Sequence, residues 1–405
     1  MELELERCYQ ALKARDARFD GRFFTGVVTT GVYCRPVCPA PTPKAKNVRF
    51  FPSAAAAEAA GHRPCRRCRP ETSPGTPAWA GTSATVSRAL RAIADGTLED
   101  EGIEGLSARL GVGTRQLRRL FAEHLGASPL AVAKARRAHF ARSLLDQTTM
   151  SIADVAFASG FGSVRQFNDS IRATFRRTPT ELRKRARRAR GGGDPGMTLK
   201  LAYRPPLDAD ALLTFLAGRA IPGVEAVDDA SYARTVEVDG RPGVIELRPV
   251  PESNHVLLHL ELAAHDALID IVERARRIFD LGADPIAIAA QLSGDPVVGA
   301  SIAARPGLRV PGSWDPFEVT VRAILGQQIS VTAATTIAGR LVEAFGKPIE
   351  GYEDRGLTHL FPGAQTLADA DLSSLGMTTA QARAIGAVGR AVASGTLDLQ
   401  SFTGL

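Results

Sequence analysis

Apolar positions along this chain change their period several times, and each change marks a different kind of structure. Between residues 23 and 51 the period is close to two. Phe23-Phe24-Thr25-Gly26-Val27-Val28-Thr29-Thr30 alternates as a strand does, and Val48-Arg49-Phe50-Phe51 is a second short strand. An alanine-rich helix follows over residues 53–60, with Ser53 as its N-cap. From about 83 to 186 the period is helical throughout. Two segments there, 105–121 and 151–167, resemble each other. Each reads as a short helix, a glycine turn (Gly111 or Gly160) and a second helix with apolar residues at three- and four-residue steps. Leu117, Leu120 and Phe121 make that stripe in the first unit; Phe167, Ile171 and Phe175 make it in the second. Two such units fit a double helix-turn-helix better than a pair of generic helical hairpins.

Beyond residue 196 the pattern is mixed. Residues 208–219 read as a helix, and strands at 234–238 and 244–248 are joined through Asp239-Gly240, a hairpin signal. A further strand is expected over 256–262 and a helix over 266–280. From 284 onward the chain is helical again, most clearly at 316–326, 332–345 and 380–394. Residues 71–82 have linker composition, and Gly191-Gly192-Gly193-Asp194-Pro195 marks another boundary. Just before it, residues 183–190 pack six basic side chains into eight positions. That run is either a phosphate-binding extension of the last helix or a solvated linker.

Composition narrows the class. A chain of 405 residues, 44% hydrophobic and 23% charged, is an ordinary globular protein of about three domains. It has no apolar run of membrane-spanning length, and its acidic start is not a signal peptide, so a cytoplasmic location without a membrane partner is expected. The net charge of +7 hides an asymmetry. Residues 1–195 carry 33 Lys and Arg against 18 Asp and Glu, whereas 196–405 carry 17 against 25. The first half has the electrostatic footprint of a nucleic-acid binder and the second, by itself, does not.

Four of the five cysteines fall as Cys34-x3-Cys38 and Cys65-x2-Cys68, with 26 residues between the pairs. This spacing fits a four-thiolate Zn2+ site, and cysteines of this kind in a chain without an export signal suit a reducing compartment. Cys8 is left over and reads as a small buried hydrophobe. The zinc site is either purely structural or reactive, since zinc keeps a thiolate deprotonated at neutral pH. Its surroundings favour the second: Arg35, Lys44, Lys46, Arg49, Arg63, Arg66, Arg67 and Arg69 lie in or beside the knuckles, and Glu58 is the one acidic residue between Cys34 and Cys68. A basic shell of this kind suits a phosphate partner, with Arg35, Arg66 and Arg67 nearest the sulfurs in sequence.

Base reading is expected from the second helix of each helical unit. Thr114, Arg115, Gln116, Arg118 and Arg119 face outward in the first; Ser163, Arg165, Gln166 and Asn168 do so in the second. Arg pairs with guanine and Gln or Asn with adenine in the major groove, while other contacts reach phosphate alone.

With these residues in view, residues 20–70 resemble the N-terminal domain of the Ada adaptive-response family. The match runs through Thr29-Thr-Gly-Val-Tyr-Cys34-Arg-Pro-Val-Cys38-Pro, Asn47-Val-Arg-Phe and Gly61-His-Arg-Pro-Cys65-Arg-Arg-Cys68. Residues 83–186 resemble the paired helix-turn-helix of AraC-type regulators. Residues 197–405 resemble the AlkA class of 3-methyladenine DNA glycosylases through Leu201-Ala-Tyr-Arg-Pro-Pro-Leu-Asp, Arg305-Pro-Gly-Leu-Arg-Val-Pro-Gly and Arg322-Ala-Ile-Leu-Gly-Gln-Gln-Ile-Ser. The resemblance implies a multidomain α+β chain in four parts. These are a four-cysteine zinc domain (1–72), an all-α double helix-turn-helix (83–188), an antiparallel α+β, TBP-like domain (197–282) and an all-α partial helix-hairpin-helix glycosylase domain (283–405).

It also implies roles. Cys34, the first ligand, accepts a methyl group irreversibly from a DNA methylphosphotriester, while Cys38, Cys65 and Cys68 hold the zinc. The loss of one negative charge then strengthens binding of operator DNA, and the bound protein recruits RNA polymerase. Phe215 matches an aromatic lining the pocket for an extruded base, unless it is simply helix core, and Gln328 matches the side chain that fills the gap left in the duplex. One departure stands out. No Asp in 197–405 matches the family's catalytic motif, and the sequence stops at Leu405 before a hairpin or that aspartate would occur. The chain as written is expected not to release 3-methyladenine. The competing reading is a non-enzymatic zinc-containing regulator with a degenerate glycosylase-like half.

Overall fold

The computed structural model describes residues 5–74, 84–187, 197–238, 240–263 and 268–399. Most of the 71–82 linker, the 191–195 stretch, the end of the basic run at 183–190 and Asp239 lie outside the described residues.

Helix α1 (Leu5–Ala14) precedes β1 (Phe24–Val27), β2 (Val32–Cys34), β3 (Val48–Phe51), α2 (Ala54–Ala59) and β4 (Arg63–Pro64). The four strands form one sheet in the order β3-β1-β2-β4, with β2 and β4 parallel. The stretch 23–30 is therefore a strand plus the turn after it. Gly31 makes the reversal possible at φ +60°, and its N–H donates to the Val27 carbonyl at 3.0 Å. Ser53 caps α2 as expected, accepting the Ala56 N–H at 3.0 Å. Apolar packing here is modest: Phe24, Tyr33, Phe51, Ala56 and Ala57 in one cluster, Cys8, Ala11 and Phe23 in another.

Seven helices follow: α3 (Ala84–Ala94), α4 (Thr97–Leu110), α5 (Thr114–Leu125), α6 (Pro129–Gln147), α7 (Ile152–Ala158), α8 (Val164–Phe175) and α9 (Pro179–Arg187). The two helix-turn-helix units are α4–α5 and α7–α8, joined by α6. Gly111 and Gly160 turn them at φ +66° and +73°. Leu117 and Phe121 on α5, and Phe167, Ile171 and Phe175 on α8, are buried, while Leu120 is half-buried. Residues 97–110 are two helical pieces that meet at a kink at Gly102 (φ +68°, ψ −169°), and the second piece is the short first helix of the unit.

The remainder opens with β5 (Met197–Ala202), α10 (Ala209–Ala217), β6 (Glu225–Val227), β7 (Tyr232–Val238), β8 (Arg241–Val250), β9 (His255–Leu262) and α11 (Leu268–Ile278). Its sheet is antiparallel, in the order β5-β9-β8-β7-β6. The chain continues through α12 (Pro285–Leu292), α13 (Gly299–Ala304), α14 (Pro316–Leu325), α15 (Val331–Phe345), a short ladder of β10 (Lys347–Pro348) with β11 (His359–Leu360), α16 (Ala364–Ala368) and α17 (Thr379–Ala393). The protein is thus a multidomain α+β chain. One hydrophobic cluster runs from Leu144, Leu145 and Leu182 to Leu199, Leu201 and Leu258, joining α6 and α9 to the five-stranded sheet. Among the described residues, no helix is long and apolar enough to cross a membrane.

Candidate metal centre and DNA-facing helices

The parallel pairing of β2 with β4 sets Tyr33 opposite Pro64, so the next residues, Cys34 and Cys65, emerge side by side. The Cys65 N–H donates to the Tyr33 carbonyl at 2.9 Å and fixes that approach. Cys38 and Cys68 return on tight turns, with N–H to carbonyl contacts from Cys38 to Arg35 (3.2 Å) and from Arg69 to Cys65 (3.0 Å). All four Sγ atoms lie within 4.8 Å of one another, and Cys38 Sγ is 4.0 Å from Cys65 Sγ. Tetrahedral zinc with bonds of about 2.3 Å needs sulfurs about 3.8 Å apart, so the donor set fits. Hydrogen bonds within the cluster push the Cys34 and Cys68 thiols up and draw Cys38 and Cys65 down, Cys38 to about 7. Four sulfurs this close cannot all ionise unless a cation replaces the protons they share.

The sulfurs are not equivalent. Cys68 Sγ accepts the Arg35 N–H at 3.3 Å and Cys65 Sγ accepts the Arg67 N–H at 3.4 Å. Among the described residues, no backbone N–H donates to Cys34 Sγ or Cys38 Sγ. Cys34 is also the most accessible of the four, at 9% against 6%, 8% and 7% for Cys38, Cys65 and Cys68.

The basic residues of the knuckles divide. Arg66 and Arg67 are exposed on the Cys65–Cys68 turn. Arg35 instead turns inward. Its guanidinium pairs with Asp20, with Nε to Oδ1 at 2.8 Å, and donates to the Cys68 carbonyl (3.2 Å) and Thr72 Oγ1 (2.7 Å). In this structure Arg35 braces the two knuckles, a role its sequence position does not announce because Asp20 lies outside the motif.

On α5, Arg115, Gln116, Arg118 and Arg119 are exposed and Thr114 is half-buried at the first turn. Arg119 donates to Gln116 Oε1 at 3.0 Å, which aligns the two side chains. On α8, Arg165 and Gln166 are exposed and Asn168 is half-buried. Ser163 is the helix cap, accepting the Gln166 N–H at 3.1 Å, and Gln166 Oε1 accepts the Gly162 N–H at 3.2 Å.

In the C-terminal half, Phe215 is not helix core: it is 41% exposed, and the Arg219 guanidinium lies 3.7 Å from its ring centroid. Gln328 is exposed on the loop after α14, at φ +64°. Two residues with no assigned part in the sequence reading tie these elements together. Arg322 donates to the Arg219 carbonyl (2.6 Å), Glu225 (2.8 Å) and Glu318 (3.1 Å), linking the end of α10 to α14. Gln381 on α17 donates to the carbonyls of Ile324 and Leu325, both at 3.2 Å, and so closes the end of α14 just before Gln328. Their signal in the sequence is only a polar side chain at an apolar helical position, which does not identify a partner.

Comparison with known proteins agrees with this layout. Residues 7–71 match the model of the metal binding domain of Ada, 106–185 that of a helix-turn-helix domain, and 198–315 that of the AlkA N-terminal domain. The "Probable bifunctional transcriptional activator/DNA repair enzyme AlkA" of Mycobacterium tuberculosis is 45% identical over 404 residues, covering 99% of this chain and 81% of that protein. DNA-3-methyladenine glycosylase 2 of Escherichia coli is 36% identical over 204 residues, 49% of this chain and 68% of that protein. The bifunctional transcriptional activator/DNA repair enzyme Ada of Escherichia coli is 32% identical over 169 residues, 41% of this chain and 46% of that protein. The chain belongs to the family of bifunctional transcriptional activator/DNA repair proteins in which Ada-type metal-binding and helix-turn-helix segments are joined to an AlkA-type glycosylase region.

Proposed function

We propose that Cys34 takes a methyl group irreversibly from a methylphosphotriester in double-stranded DNA, and that this transfer strengthens DNA binding by the two helix-turn-helix units. The observation that carries the reading is the unequal hydrogen bonding of the four sulfurs. An N–H···S bond draws charge off a thiolate and lowers its nucleophilicity. Cys65 and Cys68 each take one, whereas Cys34 and Cys38 take none among the described residues, and Cys34 is the more accessible of these two. The four cysteines would hold Zn2+, which when bound keeps their sulfurs deprotonated at neutral pH.

In the transfer a lone pair on Cys34 Sγ forms the S–C bond, and the electrons of the O–C bond return to the phosphate oxygen. The neutral triester becomes a phosphodiester anion and the thiolate becomes a thioether. One negative charge thereby passes from protein to DNA. Exposed Arg66 and Arg67 then face a fully charged backbone with one fewer negative sulfur behind them. The change is worth about 1 kcal/mol in a partly desolvated contact, or about fivefold in affinity. The thioether is stable, so each protein molecule acts once. Operator DNA is the second partner, read by the exposed faces of α5 and α8, and RNA polymerase is the expected partner of the bound activator. Phe215 and Gln328 are proposed as base-stacking and gap-filling residues in the glycosylase-like half. No carboxylate of this half is assigned to the reacting sugar.

Peptide mapping by mass spectrometry after incubation with methylphosphotriester duplex is expected to show one methyl, on Cys34. Zinc-replete protein whose Cys34 stays unmodified would return the site to a structural role. Titration of methylated and unmethylated protein against operator DNA at fixed salt is expected to show about fivefold tighter binding after methylation. Equal affinities would remove the charge argument.

A further inference from the structure

One face of α6 meets the four-cysteine segment at several points. Ala135, His139, Arg142 and Asp146 follow one another at helical steps and form a single stripe. Ala135 packs with Ala55 and Ala127. Arg142 faces Glu71 at 3.5 Å and Asp146 at 3.0 Å, and Arg69, next to Cys68, pairs with Asp146 and with Glu71 (3.3 Å). Between these contacts His139 meets the strand that ends in Cys34. Tyr33, fully buried, donates its hydroxyl to Glu58 Oε1 at 2.8 Å. His139 Nε2 lies 2.8 Å from the same carboxylate oxygen and 3.2 Å from the Tyr33 oxygen. The other side of the imidazole packs against Phe175 of α8, ring centroids 6.2 Å apart. Burial disfavours the charged imidazole, but the Glu58 carboxylate outweighs burial and holds His139 above its ordinary value.

We propose that His139 is a positioning residue for methyl transfer: from the helix joining the two helix-turn-helix units it fixes Glu58, through Glu58 it fixes Tyr33, and so it sets the direction in which the Cys34 sulfur faces. The proposal rests on the reading of Cys34 as the acceptor. In-line displacement at a methyl carbon tolerates little error, because a misplacement of about 1 Å costs up to about a hundredfold in rate. Strand β2 is only three residues long, so its side-chain anchors carry much of that alignment. The reading module thereby contributes a group to the repair reaction.

The experiment uses the 405-residue chain, with methyl uptake from a methylphosphotriester duplex followed as a single turnover over a range of duplex concentrations. His139→Phe keeps a ring against Phe175 and loses the polar contact. Its limiting rate is expected to fall about tenfold, with zinc content and half-saturating duplex concentration unchanged. His139→Gln keeps a donor for Glu58 and is expected to recover most of the rate. Glu58→Met removes the shared acceptor at similar length. It should match His139→Phe, and the double variant should be no slower than either single one. A His139→Phe protein that transfers at the wild-type rate would overturn the proposal, as would a His139→Gln protein equally slow while holding its zinc. Wild-type protein that takes up no methyl would instead overturn the acceptor reading itself.

Discussion

Stripping the metal with a strong chelator is expected to unfold the segment from β1 to β4 while α5 and α6 stay helical. The apolar clusters of that segment are small, and a core of this size supplies only a few kcal/mol. Apart from its contacts with α6, its remaining cohesion comes from the two knuckles, whose four sulfurs are buried and share protons when nothing replaces them. A four-cysteine zinc site contributes about 10–16 kcal/mol to folding at neutral pH, far more than the segment's other contacts. Hydrogen exchange by mass spectrometry reads the outcome directly. Amides of β1, β2 and β3 should lose protection in chelator and regain it on adding zinc, whereas α5 and α6 should hold theirs. Protection of β1–β3 that survives complete metal removal would mean the fold stands without the metal.

The second large effect lies in the glycosylase-like half. Glu318→Ala is expected to destabilise it by about 3–5 kcal/mol, because it leaves a buried guanidinium short of its partner. Arg234 is 2% exposed and donates to Glu318 Oε2 at 2.6 Å and Oε1 at 3.4 Å, while Glu225 approaches only to 3.8 Å. Glu318 also receives Arg322, so its loss weakens the tie between α14 and the end of α10. Urea denaturation followed by circular dichroism measures the change. The double variant Arg234→Met/Glu318→Met removes both charges and should recover most of the loss, since apolar replacement of a buried pair is often close to neutral. A single variant as stable as wild type would show that Arg234 finds a full replacement partner.

Local features were legible in the sequence because their causes are local. The cysteine spacing states which four sulfurs come together, Ser53 states a helix start, and the stripes at Leu117–Phe121 and Phe167–Phe175 state which helix faces are buried. Strands β5 and β6 left weaker marks. β6 has three residues, too few for alternation to register, and β5 becomes a strand through pairing with β9, nearly sixty positions further on. Distant partners were equally invisible. That Arg35 faces Asp20, that Arg219 covers Phe215 rather than leaving it in a core, and that His139 reaches Glu58 across 81 positions follow from tertiary approach. No window of residues contains both halves of such a contact.

The hydrophobic cluster shared by α6, α9 and the five-stranded sheet has a consequence for how the molecule comes apart. Leu144, Leu145 and Leu182 bury their surface against Leu199, Leu201 and Leu258, so neither side keeps its stability when the other melts. Heating should carry the second reading unit and the sheet through one transition, with a single calorimetric peak larger than either alone could give. Cutting the chain between them would expose apolar surface on both fragments. The second helix-turn-helix unit and the five-stranded sheet should then melt as one cooperative unit, so that a substitution in the sheet lowers the melting temperature of α8 as well.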